Sequence, residues 1–220
     1  MLTFQNVTKH FWQNGQTLKV LTAVHLQVCE GDTICLVGKS GEGKTTLLRI
    51  ISGLCRPDAG EVWFDQRNVY RLPQKHRSRL RLHPIGVIHQ HSTLMEELSC
   101  LENIQFPLRV CHRPVDQKWF GQIVDTLGID RLLNEFPTSL SGGQRKRMEI
   151  ARVLLQTPRL LLADEPTANL DASLAQRVKQ LLITSQSKFG NAVILSTHDA
   201  SLVETGWRVL ALEEGQLVER

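Results

Sequence analysis

The sequence predicts an α/β fold with a mainly parallel sheet, an N-terminal antiparallel β lobe and an inserted helical lobe. Three observations lead to this fold class. Short apolar runs alternate with helical patterns along much of the chain, which is typical of parallel strands covered on both faces. Near the start, Val24, Leu26 and Val28 alternate with polar residues, as in a half-buried antiparallel strand. From about residue 92 to residue 157, longer helical patterns replace the alternation.

The elements follow one another in an order that suits a parallel sheet with crossover helices. After a turn at residues 30–32, an apolar strand at 33–37 leads into a glycine-rich loop and a helix at 45–52 that Gly53 ends. Ser141 occupies the N-cap position of a helix that ends at residue 156. The remaining predicted elements are strands at 61–65, 85–88, 159–163, 192–197 and 209–212, a helix at 173–187 and a closing hairpin at 213–216.

The chain of 220 residues suits one domain in three parts. Residues 1–91 are predicted to form the β lobe and the first part of the core, residues 92–157 the helical lobe, and residues 158–220 the rest of the core. Within the helical lobe, Pro107, Pro114 and Pro137 are expected to break the helices.

Composition excludes several classes of protein. The five cysteines form no C-x-x-C pair, which argues against a disulfide framework or a structural zinc site and favours reduced thiols. The sequence shows no leader pattern and no apolar run long enough to cross a bilayer, so any membrane role is expected to come through a partner. The net charge of +4 does not by itself indicate nucleic-acid binding.

A basic stretch runs from Arg67 to Arg81 and contains no acidic residue. A solvated face is the first interpretation of such a run. Contact with phospholipid headgroups or with an acidic loop of a partner is the second. Direct binding of nucleic acid is a weaker alternative, because few aromatic residues lie among the basic ones.

The glycine-rich loop matches G-x-x-x-x-G-K-[ST] at every fixed position and follows a strand. Its glycines let the main chain wrap a phosphate, and the next helix points its positive end at the anion. Lys44 is predicted to bridge the β- and γ-phosphates, and Thr45 to bind Mg²⁺. The sequence therefore predicts a P-loop NTPase core whose nucleotide-binding residues are Gly38, Lys39, Ser40, Gly41, Glu42, Gly43, Lys44, Thr45 and Thr46.

Two acids end the apolar run at residues 160–163. This places Asp164 and Glu165 at the carboxyl edge of the sheet, where ligands bind in open α/β folds. Asp164 is predicted to hold the metal and its water shell, and Glu165 to act as the general base toward an attacking water. The alternative is a loop of solvated acids.

Further motifs occur in order along the chain. Gln90 follows the strand at 85–88, Leu-Ser-Gly-Gly-Gln occupies 140–144, Ala-Asn-Leu-Asp occupies 168–171 and Thr-His-Asp occupies 197–199. Together with the loop at 38–45 and the acids at 164–165, they resemble the nucleotide-binding subunit of ATP-binding cassette (ABC) transporters over nearly the whole chain. In that family these motifs are the Q-loop, signature, D-loop, switch histidine, Walker A and Walker B.

The resemblance implies that two copies meet head to tail, so that the signature of one closes over ATP bound to the Walker A loop of the other. It thereby implies ATP binding in trans by Ser141, Gly142, Gly143 and Gln144. A helix start with bare glycine backbone is consistent with an anion site.

The resemblance also assigns roles near the γ-phosphate. It implies that His198 contacts this phosphate and orients water and Glu165, and that Gln90 touches metal or water and links hydrolysis to the helical lobe. Asp171 is expected to communicate between the two copies. The expected catalytic residues are Glu165, His198, Gln90 and Lys44, and the expected metal site is Thr45, Gln90 and Asp164.

An aromatic residue that stacks on adenine is expected in the first lobe. Phe11 is the best match and Trp12 the second. Ordinary core packing is the other interpretation of Phe11.

The predicted function is an ATPase subunit that uses ATP and Mg²⁺, pairs with a second copy and drives a separate integral membrane protein, without direct nucleic-acid binding. The motif sequences look most like the bacterial lipoprotein-release, macrolide-efflux and cell-division group, which implies an exporter or mechanotransmission system. This places the chain peripherally on the cytoplasmic face of the bacterial inner membrane. The alternative is a soluble ABC-type ATPase that acts on DNA or ribosomes.

Overall fold

A computed structural model of the protein describes residues 1–13, 15–168, 170–198 and 203–220. The first sheet is antiparallel, with the strand order β2-β1-β4-β5. Its strands are β1 (Leu2–Gln13), β2 (Gln16–Val28), β4 (Ala59–Phe64) and β5 (Arg67–Asn68). This sheet confirms the predicted N-terminal β lobe.

The second sheet has the strand order β10-β9-β3-β8-β7-β6 and is parallel except for the final hairpin. Its strands are β3 (Thr33–Val37), β6 (Ile85–Ile88), β7 (Leu160–Asp164), β8 (Ala192–Ser196), β9 (Arg208–Glu213) and β10 (Gln216–Glu219). All residues of β7 and β8 are buried, as expected for strands covered on both faces. The parallel order brings the ends of β3, β6, β7 and β8 to one edge.

Several of the six main helices begin or end at recognisable capping residues. They are α1 (Lys44–Ile51), α2 (Gln74–Leu82), α3 (Cys100–Val110), α4 (Gln117–Leu127), α5 (Gly142–Leu155) and α6 (Ala172–Phe189). Ser99 and Ser141 form capping boxes at the starts of α3 and α5. Gly128 and Gly190 end α4 and α6 in the left-handed conformation.

The parallel sheet lies between two apolar clusters. On one face, Leu160 and Leu162 pack with α1 and the antiparallel sheet. On the other face, Leu161 and Ala163 pack with α3, α4, α5 and α6. This alternation follows from the period of two along a strand. It attaches the helical lobe directly to the strand that carries the two acids.

One predicted break in the helical lobe is wrong. Pro107 lies inside α3 rather than ending it, and its ring is buried. Proline removes one backbone hydrogen bond of a helix, but burial of the apolar face of α3 against α5 outweighs that loss. Across the part of the chain that is described, no helix is long and apolar enough to span a membrane.

Candidate active site

The glycine-rich loop between β3 and α1 needs its glycines. Gly41 and Gly43 have φ angles of 86° and 103°, in the left-handed region that other residues rarely adopt. A Cβ atom on Gly43 would lie 2.4 Å from Cγ1 of Val20, on the neighbouring strand β2. The loop therefore reaches its conformation only with glycine here, and the first N–H groups of the helix that follows are suited to bind an anion.

Lys44 is placed at the centre of this loop. Its ammonium donates to the carbonyl oxygens of Gly38 at 2.6 Å and Lys39 at 2.8 Å, and the residue is 7% exposed. These two carbonyls hold a positive charge inside the ring that the loop forms. Thr45 and Thr46 follow on the first turn of α1 and are half-buried.

Glu42 folds back over the same loop. Its Oε2 atom accepts the backbone N–H of Lys39 at 2.5 Å. The carboxylate thereby satisfies a donor at the mouth of the loop and places a negative charge beside a predicted anion site. The Glu42 carboxylate therefore braces the loop, and its negative charge would repel an anion rather than attract one.

Asp164 and Ser196 lie side by side at the ends of β7 and β8. The Ser196 hydroxyl donates to Oδ1 of Asp164 at 2.6 Å, and Asp164 is 6% exposed. This bond fixes one carboxylate oxygen and leaves the other available. Oxygen donors such as this carboxylate, the Thr45 hydroxyl and the Gln90 amide suit Mg²⁺, which keeps much of its shell as water and phosphate.

Among the described residues, the side chains of His, Cys, Asp and Glu do not build a metal site by themselves. In the ranges that the structure describes, no group of three or more His, Cys, Asp or Glu side chains is placed to hold a metal ion.

Glu165 adopts a backbone conformation that is uncommon for a side chain of its size. Its φ angle is +45°, and its N–H is directed at both the backbone oxygen and the hydroxyl of Ser196, each 3.2 Å away. The turn aims the carboxylate away from the strand. Nδ1 of His198 lies 3.4 Å from Oε1 of Glu165, so these two predicted catalytic groups are brought together.

Gln90 follows β6 at the same edge and is exposed. A lysine that the sequence analysis did not select lies behind it. Lys146 on α5 donates to the carbonyl of His89 and is 4% exposed. Burial lowers the pKa of Lys146, while attraction to Glu149, Asp164 and Glu165 opposes this shift. Lys146 and Glu149 are three residues apart, a spacing that predicts a pair on one side of a helix but does not indicate its burial.

The signature segment forms the exposed start of α5. The Ser141 hydroxyl accepts the N–H of Gln144 at 3.3 Å, and the Gln144 side chain accepts the N–H of Ser141 at 2.7 Å. This capping box confirms Ser141 as the N-cap. A Cβ added to Gly142 would meet no atom within 4 Å, so its backbone faces open space where an anion has access.

Three further predicted residues fall elsewhere. Phe11 is 41% exposed on the β1–β2 hairpin, which excludes core packing. Its neighbour Trp12 is 76% exposed. Asp171 is the N-cap of α6 and accepts the N–H of Leu174 at 2.9 Å. Two motif residues, Asn169 and Asp199, lie outside the described residues.

A phosphate-binding loop, two acids and a histidine at the carboxyl edge of a parallel sheet define a P-loop nucleotide hydrolase. Comparison with known proteins identifies the family within this class. Residues 21–168 match the sequence model of the ABC transporter family, so the chain belongs to that family. It is the ATP-binding and ATP-hydrolysing subunit of an ABC transporter, and it uses Mg²⁺ with ATP.

Relatives match along the full chain. A lipoprotein-releasing system ATP-binding protein LolD from Legionella pneumophila is 36% identical over 222 residues, covering 100% of this chain and 98% of the relative. A LolD from Shewanella frigidimarina is also 36% identical, covering 99% and 92%.

Solved structures are also similar to this chain over its full length. A dimeric post-hydrolysis structure of the ATP-binding cassette MJ0796 bound to ADP and Pi has a TM-score of 0.90 at 32% identity, covering 100% of this chain and 98% of that one. A second dimeric structure of MJ0796 gives a TM-score of 0.88.

Proposed function

We propose that this subunit powers the release of lipoproteins from the bacterial inner membrane by driving a separate integral membrane partner. The observation that carries this proposal is that one chain presents two separate features suited to binding an anion. One is the phosphate loop with its acids and histidine, and the other is the open, capped start of α5. The relatives named as lipoprotein-releasing proteins, similar over the full length, support the choice of cargo class.

In the proposed site, Lys44 exchanges its two loop carbonyls for oxygens of the β- and γ-phosphates. Backbone N–H groups of the loop and the first turn of α1 bind the β-phosphate. Thr45, Gln90 and Asp164 would hold the metal, and Thr46 would lie near the α-phosphate. When bound, Mg²⁺ neutralises phosphate charge that develops during the reaction.

Hydrolysis is proposed to depend on Glu165 and His198. Water attacks the γ-phosphorus in line with the bond to the β–γ bridging oxygen, and that bond breaks to release ADP and phosphate. The Glu165 carboxylate takes a proton from the water, and His198 holds both this carboxylate and a γ-phosphate oxygen in place. Gln90 orients the same water from the side of the helical lobe.

The second anion site is proposed to act across a head-to-tail dimer. Ser141, Gly142, Gly143 and Gln144 of one copy contact the γ-phosphate held by the Walker A loop of the other. Asp171, at the start of α6, connects the two sites. Because each site needs both copies, ATP drives the pairing and hydrolysis releases it.

The adenine ring is proposed to stack on Phe11. That side chain is exposed and pairs across the hairpin with Leu18, two residues from Val20, which contacts the glycine-rich loop. The Lys9 ammonium lies 5.2 Å from the centre of the Phe11 ring. It would therefore compete with a stacked adenine for one face of that ring.

The proposed location is the cytoplasmic face of the inner membrane, held there by the membrane partner. The helical lobe, proposed as residues 92–157 between core portions 1–91 and 158–220, relays movement to that partner. The basic helix α2 lies outside this lobe. Part of its charge is structural, because Arg77 lies over the Tyr70 ring and Arg81 donates to the carbonyl of Ser52.

The test is an affinity purification of the Glu165→Gln protein from detergent-solubilised membranes of its host, once with ATP and once with ADP. We expect a multi-helix membrane protein to be recovered. Lipoprotein cargo is expected either in the ADP sample alone or in neither of the two samples. Recovery of ribosomes or DNA-bound proteins without a membrane protein would instead support the soluble ATPase. Reconstitution with the recovered membrane protein then measures ATP-dependent lipoprotein release directly.

A further inference from the structure

Three charged side chains on one side of α5 lie against the segment that carries Gln90. Lys146, Glu149 and Arg152 follow at intervals of three residues, which places them along one side of the helix. Lys146 is 4% exposed and Glu149 is 0% exposed. Charges are rarely buried to this extent unless they are paired and hydrogen-bonded, so their partners indicate their role.

Lys146 and Glu149 form hydrogen bonds with both backbone polar groups of His89, its carbonyl and its N–H. The Lys146 ammonium donates to the His89 carbonyl, which belongs to the peptide bond that joins His89 to Gln90. Oε1 of Glu149 accepts the His89 N–H at 3.4 Å. The main chain is therefore fixed immediately before Gln90 by two side chains of α5.

Arg152 and Glu149 hold the chain again three residues after Gln90. Arg152 donates to the Thr93 carbonyl at 2.9 Å and to the Thr93 hydroxyl at 2.6 Å. The same hydroxyl donates to Oε1 of Glu149 at 3.2 Å. Gln90 thus lies in a short exposed segment whose two ends are hydrogen-bonded to side chains of α5.

Glu149 is the centre of this cluster. Its Oε2 atom lies 3.9 Å from the Lys146 ammonium, and its Oε1 atom lies 3.8 Å from the Arg152 guanidinium. Oε2 accepts no hydrogen bond from the described residues, so the two cations compensate its charge through space. Removal of either cation would leave a buried carboxylate undercompensated and loosen the remaining contacts.

The cluster connects two places that the proposed function requires to act together. Gln90 is joined through the chain to β6 of the sheet, but the residues on either side of it are hydrogen-bonded to side chains of α5. The start of α5 is the signature, at which the second nucleotide binds. We infer that Lys146, Glu149 and Arg152 are positioning residues that make the Gln90 segment move with α5, so that an anion at the signature places Gln90 for hydrolysis in the same chain.

This inference rests on the proposed roles of Gln90 and of the signature. The electrostatics are consistent with it. Attraction by Asp164 and Glu165 opposes the lowering of the Lys146 pKa by burial, so the ammonium interacts with the acids of the sheet as well as with its own helix.

The test compares Lys146→Met with Lys179→Met. Methionine keeps an unbranched chain while removing the charge. Lys179 is the matched control because it is also buried, at 8% exposure, is paired at 2.6 Å with Glu204, and belongs to α6 rather than α5. Both variants are expected to lose thermal stability. Three quantities separate them: kcat for ATP, the Kd for ATP, and amide hydrogen exchange over residues 89–93.

Lys146→Met is expected to reduce kcat about ten-fold, to change the Kd for ATP less than about two-fold, and to speed exchange at residues 89–93. Lys179→Met should leave kcat per folded molecule and exchange in this segment unchanged. Lys146→Arg should restore most of kcat, because a guanidinium can donate to the same carbonyl. A fall in kcat without faster exchange, or faster exchange without a fall in kcat, overturns the inference.

A second variant keeps the test decisive if Lys146→Met does not fold. Thr93→Val removes the hydroxyl shared by Glu149 and Arg152 at an exposed position. It should lower kcat about three-fold with faster exchange at 89–93, and no change in either overturns the inference. Wild-type turnover in the same assay is the separate check on the proposed function, since its absence would speak against the catalytic assignment and not against the cluster.

Discussion

The Glu165 carboxylate faces the His198 imidazole, with 3.4 Å between Oε1 and Nδ1. The contact joins the turn after β7 to the loop after β8, and the positive φ angle of Glu165 directs its side chain toward it. Glu165 is thus held in a strained conformation, in contact with His198, at the edge of a buried sheet. This arrangement suits a residue that acts as a water-activating base.

Glu165→Gln is expected to bind ATP normally and to hydrolyse it at least about 100-fold more slowly, because an amide accepts no proton from water. The unhydrolysed nucleotide should hold two copies together, and size-exclusion chromatography with ATP should show a dimer. His198→Ala serves as the companion variant and should also slow turnover. Wild-type kcat in Glu165→Gln would show that the general base lies elsewhere.

Lys44→Ala is expected to raise the Kd for ATP by at least about 100-fold, since it removes the charge that the loop holds at its centre. Equilibrium binding of a fluorescent ATP analogue measures this. Lys39→Ala is the comparison within the same loop, because the Lys39 side chain is exposed. It should weaken binding much less, and equal losses in both variants would argue against a special role for Lys44.

Much of the site could be predicted because its motifs are tied to regular elements. The strands at 33–37 and 85–88 were predicted at their observed bounds, and the predicted start of α5 at Ser141 is confirmed by its capping box. In a parallel sheet, strand ends meet at one edge whatever their separation along the chain. The hydrophobic run of β7 placed Asp164 and Glu165 at this edge, whereas the contact of His198 with Glu165 was expected from the resemblance to the ABC family.

The parts that could not be predicted depend on side-chain contacts between distant segments. Lys146 and Glu149 look like ordinary surface charges, and only packing of α5 against residues 89–93 buries them. Glu42 bends back to its own loop because a backbone N–H is within reach. Pro107 stays within α3 because tertiary burial outweighs its local effect. No sequence period records such contacts.

Asn103 should be a large contributor to stability in the helical lobe. It is 0% exposed, accepts the Met95 N–H at 2.8 Å and donates to the carbonyls of Met95, Leu98 and Ser99. Asn103→Ala leaves these buried backbone groups without their hydrogen-bond partner. It is expected to lower the free energy of unfolding by about 2–4 kcal/mol. Urea unfolding measures this change.

The control for Asn103→Ala is Gln105→Ala, two residues along α3, whose side chain makes one exposed hydrogen bond with Arg109. It should change the free energy of unfolding by less than about 0.5 kcal/mol. A loss of that small size in Asn103→Ala would mean that water replaces its four bonds without penalty.

Asp58 should make stability depend on acid pH. The backbone N–H of His10 and the ammonium of Lys9 bind its carboxylate at 2.7 and 2.9 Å and lower its pKa. A carboxyl group whose pKa is lowered by folding contributes stability above its unfolded value, near pH 4, and loses that contribution as the pH falls through the folded pKa. Asp58→Asn should therefore be less stable than wild type at pH 7 and equally stable near pH 2. Thermal unfolding across this range measures the difference, and a constant gap would contradict it.

A mixture of two inactive variants tests whether the signature acts across the dimer. Ser141→Arg places a bulky charge at the open start of α5 and should block turnover while leaving ATP binding by the monomer intact. Lys44→Ala lacks ATP binding but retains its signature. In a mixed dimer, the loop of the Ser141→Arg chain meets the intact signature of the Lys44→Ala chain, which rebuilds one complete site. ATPase activity should therefore reappear when the two are mixed and should reach a maximum near equal amounts. If signature and loop acted within one chain, every chain in the mixture would carry one damaged half, and the activity would stay at the level of the separate variants.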